Sequence, residues 1–257
     1  MKKQINGDEK VWTILEIINW TTLYFKAANI DTARTDAEIL LAYVLNLKRI
    51  DLYLNYDKPL LKHEVKAFKR LIIKRKKRMP IAYIIGAKEF WSMEFKVNKN
   101  VLIPRPDTEV LVEAALIEIK KIKEKNPKLK LKILELGVGS GAVISAIASS
   151  VPNNIYFGAD NSEKALEIAK ENYKKHNLKI DYFLSDWFAA IKKKNIKFDI
   201  IISNPPYIPT QDIKKLRPEI RLYEPISALD GGKNGLNSIN AIISEAHLYL
   251  NENGTLL

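Results

Sequence analysis

The stretch Ile133-Leu134-Glu135-Leu136-Gly137-Val138-Gly139-Ser140-Gly141 decides the fold of this 257-residue chain. Residues 133–136 are mostly apolar and predict a short buried strand, and residues 142–150 predict a helix. The glycines between them allow a sharp turn and let the backbone pass close to a ligand. A strand, a glycine-rich loop and a helix in this order are typical of the ligand-binding turn of an open α/β sheet.

After this loop, the chain alternates short apolar strands with helices. Strands are predicted for residues 155–160, 180–184 and 198–203, and a helix with a serine cap is predicted for residues 162–176. Strands that are apolar along most of their length are typical of a parallel sheet covered by helices on both faces. We therefore predict the α/β class, with a Rossmann-like, doubly wound domain.

Before the loop, the sequence predicts a helical part and a hairpin. Residues 1–80 predict a small helical domain, because apolar residues recur at every third or fourth position from Val11 onward. A helix from His63 ends in the basic run at residues 74–78, where Met79-Pro80 stops it. Residues 81–103 predict a linking β-hairpin built from residues 81–85 and 91–98. Residues 104–257 form the predicted α/β domain, whose first helix covers residues 110–120.

Composition limits the classes of protein that are compatible with the sequence. The chain has no cysteine and three widely separated histidines, so we expect no metal site. It has no secretory signal and no apolar run of the roughly 18 residues that a membrane span needs, so we expect a cytoplasmic protein without membrane contact.

Basic residues are concentrated in the N-terminal part of the chain. Residues 1–100 contain 20 Lys and Arg against 11 Asp and Glu, whereas the remainder contains 22 against 19. This excess either steers the protein toward RNA, a ribosomal surface or an acidic protein, or reflects lysine on solvated helix faces.

The glycine loop is compatible with two kinds of ligand, NAD and S-adenosylmethionine. Gly137-x-Gly139-x-x-Ala142 fits the alanine-ended dinucleotide pattern, and Asp160 can accept hydrogen bonds from ribose hydroxyls in either case. Two features favour S-adenosylmethionine. Glu135 precedes the loop by two residues, a position common in methyltransferases, and Ser185-Asp186-Trp187-Phe188 follows the third strand. There an acid can accept from an adenine amino group and an aromatic ring can pack on the base.

The turn Asn204-Pro205-Pro206-Tyr207 follows the fourth predicted strand and indicates methyl transfer to a planar nitrogen. The nitrogen of an amide or an exocyclic base amine is a poor nucleophile, because its lone pair is delocalised. The Asn204 side-chain oxygen and the Pro205 carbonyl can accept from its two N–H groups, and the prolines fix the backbone beforehand. Tyr207 can stack on the planar group and face a cationic sulfonium. We therefore predict Asn204, Pro205 and Tyr207 as the catalytic residues, acting mainly by orientation.

Motifs along nearly the whole chain resemble one family. They are residues 86–91, Leu102-Ile103-Pro104-Arg105-Pro106-Asp107-Thr108-Glu109, the glycine loop with Glu135, Ser185-Asp186-Trp187-Phe188, Asn204-Pro205-Pro206-Tyr207-Ile208, and Tyr223-Glu224-Pro225. Together they resemble the peptide chain release factor glutamine methyltransferases (HemK or PrmC family). The glycine loop and the Asn-Pro-Pro-Tyr turn also occur in other methyltransferases, so the stretch at 102–109 and the Ser-Asp-Trp-Phe sequence carry most of the specificity.

The resemblance implies N5-methylation of the glutamine in the Gly-Gly-Gln motif of release factors, with S-adenosylmethionine as donor. It implies that the cofactor is bound by Gly137, Val138, Gly139, Ser140, Gly141, Asp160, Trp187 and Asn204. The substrate amide would be held by Asn204, Pro205, Pro206 and Tyr207. Pro104, Arg105 and Thr108 would line the methionine end. The helical residues 1–80 would dock the release factor, and their basic excess would allow weak contact with RNA or the ribosome.

Three other functions are compatible with parts of the sequence. An adenine-N6 or guanine-N2 methyltransferase acting on nucleic acid would use the same turn, although no groove-binding domain is recognisable. A nicotinamide-dependent oxidoreductase would need a catalytic acid or base near the ring, and none is clear. A non-catalytic RNA-binding protein would explain the charge but not the complete set of cofactor residues.

The end of the chain departs from the family pattern. Sheets of this type usually have seven strands and end in an antiparallel hairpin. Here a helix over residues 236–250 leads through Asn251-Glu252-Asn253-Gly254 into Thr255-Leu256-Leu257, about three residues of a fifth strand. We therefore expect a chain truncated at its C-terminus, either a fragment of a longer protein or a sheet with an open edge.

Two-domain relatives that also methylate tRNA are among the candidate parents of such a fragment. All cofactor and substrate motifs precede the break, so we expect weaker stability but unaltered chemistry.

Overall fold

The computed structural model describes residues 11–192, 194 and 196–257. Contacts between residues divide the chain into two compact units, with the boundary between Ile85 and Gly86. Each unit has its own cluster of buried apolar side chains, as expected for parts that are compact by themselves. The boundary falls a few residues after position 80, where the sequence predicted the helical domain to end.

The first unit consists of helices. They are α1 (Ile14–Ala27), α2 (Ala33–Leu45), α3 (Arg49–Leu54), α4 (Lys62–Lys76) and α5 (Ile81–Ile85). Helix α1 begins at a capping box, in which Thr13 Oγ1 accepts from Glu16 N at 3.3 Å and Glu16 Oε2 accepts from Thr13 N at 3.0 Å. The core of the unit includes the fully buried side chains of Phe25 and Phe68. The short helix α3 was not predicted, because six residues are too few to show a helical period.

Residues 81–85 form helix α5, so their assignment to the first strand of the predicted hairpin was wrong. The Pro80 carbonyl accepts from Tyr83 N and Ile84 N, both at 3.1 Å, which closes a helical turn. A short run of apolar residues has no period that separates a buried helix from a buried strand. The hairpin is instead made by β1 (Ala87–Phe90) and β2 (Met93–Lys96), joined by Trp91 and Ser92 with φ of 52° and 55°. Two left-handed residues are typical of the tightest hairpin turns.

The second unit continues from this hairpin into the predicted α/β domain. Its further elements are α6 (Glu109–Lys125), β3 (Lys132–Leu136), α7 (Ala142–Ser150), β4 (Ile155–Asp160), α8 (Glu163–Lys175), β5 (Ile180–Leu184), β6 (Phe198–Ser203), α9 (Pro218–Tyr223), α10 (Asn237–Tyr249) and β7 (Leu250–Leu256). Five parallel strands form one sheet in the order β5-β4-β3-β6-β7. The predicted fold class is therefore confirmed.

The sheet is covered on both faces, and the alternation along β3 shows this directly. Ile133 belongs to the cluster that includes residues of α6, α7 and α8, whereas Leu134 and Leu136 belong to a second cluster that includes residues of α10. Successive side chains of a strand point to opposite faces, so a strand that is apolar on both sides lies between two layers of helices.

Two elements extend beyond their predicted bounds. Helix α6 continues to Lys125, although the sequence predicted this helix to end at residue 120. Strand β7 begins at Leu250, although only residues 255–257 were predicted as strand. Leu250 pairs with Phe198 and Thr255 pairs with Ile200, so residues 251–254 lie opposite a single residue of β6. This bulge explains why the sequence there is typical of a turn.

Among the described residues, no helix is long and apolar enough to cross a membrane. The same part of the chain contains no group of three or more acidic or histidine side chains arranged to hold a metal ion.

Candidate active site

A cavity of about 250 Å³ lies at the carboxyl ends of β3, β4 and β6. This is the edge of a parallel sheet at which α/β proteins bind ligands. Its lining combines the glycine loop, the ends of the strands and several segments from elsewhere in the second unit. The lining residues include Phe90, Pro104, Thr108, Glu135, Gly137, Val138, Gly139, Ser140, Asp160, Trp187, Asn204, Pro205 and Pro206.

The glycine loop joins β3 to α7 with three left-handed residues. Gly137, Gly139 and Gly141 have φ of 75°, 54° and 76°, a region that L side chains rarely adopt. A Cβ atom added to Gly139 would meet no atom within 4 Å, so this part of the loop faces open space. Gly141 is different, because its Cβ would lie 2.5 Å from Tyr173 Cε1 and the residue does not line the cavity. The structure thus gives Gly141 a packing role, whereas the other four residues of the loop line the cavity.

Two buried carboxylates hold the loop. Asp160 Oδ2 accepts from Gly139 N and Asp160 Oδ1 accepts from Ser162 N, both at 2.9 Å. Glu135 Oε2 accepts from Ile144 N at 2.9 Å, near the amino-terminal end of α7, where helix dipoles favour a negative charge. Burial raises the pKa of Asp160, and burial raises the pKa of Glu135 well above its usual range, with the Asp160 charge adding to it.

Asn172 and Tyr173 of α8 support the loop from beneath, and no motif in the sequence marks either residue. The fully buried Asn172 donates to Ser140 O at 2.9 Å and Lys96 O at 3.0 Å, and its Oδ1 accepts from Lys96 N at 2.7 Å. Tyr173 packs beneath Gly141, and its buried hydroxyl has no hydrogen-bond partner among the described residues. Asn172 therefore ties strand β2 to the glycine loop, with both N–H donors and the oxygen of its amide hydrogen-bonded.

The structure agrees with only part of what the sequence predicted for residues 185–188. Trp187 has φ of 43°, and Ser185 Oγ fixes this turn by donating to Trp187 O at 2.7 Å and accepting from Ala190 N at 3.0 Å. The Trp187 ring lines the cavity and approaches Gly137 closely enough that a Cβ there would lie 3.8 Å from it.

Asp186 is exposed and does not line the cavity, which removes it as the predicted acceptor for an adenine amino group. Phe188 is buried and stacks on Tyr249 with ring centroids 4.6 Å apart, so it is a core residue.

The Asn204-Pro205-Pro206-Tyr207 turn brings its first three residues to the cavity. Asn204, Pro205 and Pro206 line it together with the glycine loop, and Asn204 Nδ2 donates to Thr108 Oγ1 at 3.4 Å. Tyr207 is 63% exposed and does not line this cavity. It lines a second cavity of about 650 Å³, which it shares with Asn204 and Pro205.

An ion pair anchors the segment that carries Pro104 and Thr108. Glu224 is buried, its Oε1 accepts from Arg105 Nη2 at 2.6 Å, and its Oε2 accepts from Ile103 N at 3.2 Å. Arg105 and Glu224 are separated by 119 positions in sequence. Pro104 and Thr108 line the cavity, whereas Arg105 does not. The three residues predicted to line the methionine end therefore have different roles, with Arg105 acting as the anchor.

Comparison with known proteins gives the family. A family model described as the PrmC N-terminal domain matches residues 16–86, and one described as the methyltransferase small domain matches residues 113–218. A release factor glutamine methyltransferase from Geobacter sulfurreducens is 40% identical over 248 residues, which cover 96% of this chain and 84% of the relative. The chain belongs to the release factor glutamine methyltransferase family. The corresponding protein of Buchnera aphidicola subsp. Schizaphis graminum is 45% identical over 90% of this chain and 80% of its own length.

The chain is also similar to two further proteins. A bifunctional methyltransferase from Rickettsia felis is 35% identical over 96% of this chain and 51% of the relative. Among solved structures, a methyltransferase from Pyrococcus furiosus is 21% identical, with a TM-score of 0.44, over 73% of this chain and 75% of its own. For this member of the release factor glutamine methyltransferase family, the match to a methyltransferase domain supports S-adenosylmethionine as the methyl donor.

Proposed function

We propose that this chain transfers a methyl group from S-adenosylmethionine to the side-chain amide nitrogen of a glutamine, N5, in the Gly-Gly-Gln motif of a peptide chain release factor. One observation carries the proposal: Asn204 and Pro205 line the same cavity as the glycine loop, Asp160 and Trp187. Family membership supplies the class of substrate, because the relatives at 40% and 45% identity are both named release factor glutamine methyltransferases.

The residues of the cavity fit the proposed donor. Gly139 faces open space, so a nucleoside can approach the loop backbone without meeting a side chain. Asp160 lines the cavity and its carboxylate can accept from ribose hydroxyls, and the Trp187 ring offers an apolar face for a base. Of the proposed cofactor residues, Gly137, Val138, Gly139, Ser140, Asp160, Trp187 and Asn204 line the cavity, and Gly141 shapes the loop from behind it.

The chemistry asks the protein chiefly to hold and orient an amide. When bound, S-adenosylmethionine supplies a methyl group on a positively charged sulfur, which needs no further activation. Asn204 Oδ1 and the Pro205 carbonyl would accept from the two N–H groups of the glutamine amide and raise the electron density on its nitrogen. Pro205 and Pro206 restrict the backbone, so little reorganisation is left for the transition state. The nitrogen forms its bond to the methyl group as the methyl–sulfur bond breaks, and the electron pair of that bond stays on the sulfur of the demethylated donor. The nitrogen releases one proton to solvent, which restores a neutral amide.

Tyr207 would act on the acceptor side. Its ring lies outside the first cavity and contributes to the second, together with Asn204 and Pro205. An exposed aromatic ring there can pack on the planar glutamine amide as it enters. This position replaces the expectation that Tyr207 faces the sulfonium.

The helical unit would dock the release factor, with weak contact to RNA or the ribosome through its basic residues. Residues 74–78 are all basic, but not all of them are available to contact a partner. Arg75 is buried, and its Nε donates to Asp36 Oδ2 at 2.7 Å. The usable charge therefore comes from neighbouring lysines such as Lys74, which is exposed on α4. We expect the enzyme to meet its substrate in the cytoplasm, where translation ends.

Mass spectrometry of a release factor incubated with this protein and S-adenosylmethionine tests the proposal. We expect a gain of one methyl group, confined to the glutamine of the Gly-Gly-Gln motif. The variant Asn204→Ala should lose the transfer while donor binding, measured by calorimetry, changes little. A parallel incubation with tRNA and DNA tests the nucleic-acid alternative, and methylation of nucleic acid alone would refute the assignment.

A further inference from the structure

Thr108 contacts the residue that the proposed reaction depends on most. It ends the 3₁₀ turn Pro106–Thr108 immediately before α6 and is half-buried. Thr108, Asn204 and Pro205 line both cavities. Asn204 Nδ2 donates to Thr108 Oγ1 at 3.4 Å, although 96 positions separate the two residues in sequence. Hydrogen bonds in catalytic sites are often long before the substrate is bound and shorten in the complex.

We propose that Thr108 is a positioning residue that holds the Asn204 amide in the orientation needed for methyl transfer. The inference rests on the proposed function, in which Asn204 Oδ1 accepts from the N–H of the glutamine amide. An asparagine amide has an oxygen acceptor at one end and a nitrogen donor at the other. When Oδ1 faces the substrate, Nδ2 therefore faces Thr108.

The hydroxyl of Thr108 matters most once the substrate is in place. Without bound substrate, Asn204 is only half-buried, so water can replace a lost partner of its Nδ2. With donor and acceptor bound, both cavities that adjoin Asn204 are filled, and a methyl group in place of the hydroxyl would leave Nδ2 without an acceptor. A buried donor that loses its partner is costly, so the cost falls on the complex rather than on the free protein.

The backbone around Thr108 is anchored by hydrogen bonds within the protein. Thr108 N donates to Arg105 O at 3.0 Å, and Arg105 pairs with the buried Glu224. Glu224 also holds Ile103 N, so the segment is anchored on both sides of Pro104. The Thr108 hydroxyl is thus presented to Asn204 from a segment that is anchored by contacts within the protein.

This role differs from the expectation that Thr108 lines the methionine end of the donor. A contact with the donor predicts that loss of the hydroxyl weakens S-adenosylmethionine binding. A contact that acts through Asn204 predicts unchanged donor binding and slower transfer.

Thr108→Val and Thr108→Ser separate these cases, because valine keeps the shape without the hydroxyl and serine keeps the hydroxyl without the methyl group. We would measure kcat and KM for methylation of a release factor, and the Kd of S-adenosylmethionine by calorimetry without release factor. The valine variant should lose about tenfold in kcat/KM for the release factor, equivalent to about 1.4 kcal/mol, mostly through kcat. Its donor Kd and melting temperature should stay close to those of the unaltered protein, and the serine variant should recover most of the rate.

Three results would overturn the inference: full activity of the valine variant, equal losses in both variants, or a donor Kd that rises in parallel with the lost rate. Asn204→Ala separates this failure from failure of the proposed function. If Asn204→Ala stops transfer while Thr108→Val does not, the proposed function stands and the role of Thr108 falls. If the unaltered protein does not methylate the release factor, both fall.

Discussion

Replacing Asn172 should uncouple the β1–β2 hairpin from the glycine loop. The Asn172 side chain is fully buried and makes three hydrogen bonds, at 2.7 Å to Lys96 N, 3.0 Å to Lys96 O and 2.9 Å to Ser140 O. Asn172→Asp keeps the size of the side chain but replaces the only group that donates to the two carbonyls with an oxygen. The carboxylate would then face two backbone oxygens in a buried site.

The expected loss of stability follows from these contacts. The two lost donors are worth about 1 kcal/mol each, and an uncompensated buried charge adds more, so we expect a loss of about 3–5 kcal/mol in the free energy of unfolding. For a unit of this size, such a loss lowers the melting temperature by roughly 6–20 °C. Because Ser140 lines the cavity, the affinity for S-adenosylmethionine should fall as well.

Thermal unfolding followed by circular dichroism, with calorimetry for the donor Kd, tests this expectation. Asn240→Asp is the matched control, since it makes the same chemical change at an exposed position near the start of α10. The control should melt within about 2 °C of the unaltered protein, as surface substitutions usually do. A melting temperature and donor Kd for Asn172→Asp that match those of the control would refute the reasoning.

Three further substitutions test the support of the glycine loop. Gly141→Ala should cost about 1–3 kcal/mol and weaken donor binding, because φ is 76° and the new Cβ would lie 2.5 Å from Tyr173 Cε1; a melt and a donor titration check both, and an unchanged melt would contradict the steric argument. Tyr173→Phe removes a buried hydroxyl without a partner among the described residues, so the melting temperature should stay equal or rise; a clear drop would show that the hydroxyl is hydrogen-bonded. Glu135→Gln should raise the melting temperature at pH 8: a carboxyl with a raised pKa costs stability as pH rises through that pKa, so the gain should shrink as pH falls toward 5. An equal gain at both pH values would show that the Glu135 charge is not its cause.

Local patterns were sufficient for the parallel sheet and for most of the cavity lining. Strands β3, β4, β5 and β6 are short apolar runs bounded by loops, and each lies where its sequence predicted it. Residues at the carboxyl ends of parallel strands share one edge of the sheet, so Gly137, Asp160 and Asn204 could be placed together without knowing any distance. Residues 81–85 show the limit of this approach, because an apolar run without a polar residue carries no period.

The sequence by itself determined the fold class, the family and the residues that follow the strands, because these depend on periodicity and on motifs of adjacent residues. Only the tertiary structure showed which distant residues hold the site in place. Asn172 contacts Ser140, Glu224 pairs with Arg105, and Thr108 meets Asn204 across separations of 32, 119 and 96 positions. No local pattern marks these partners, since a hydrogen bond between distant residues depends on how helices and loops pack on the sheet. Because of the same packing, Asp186 is exposed and Tyr207 lines the second cavity, although both belong to the motifs that identified the family.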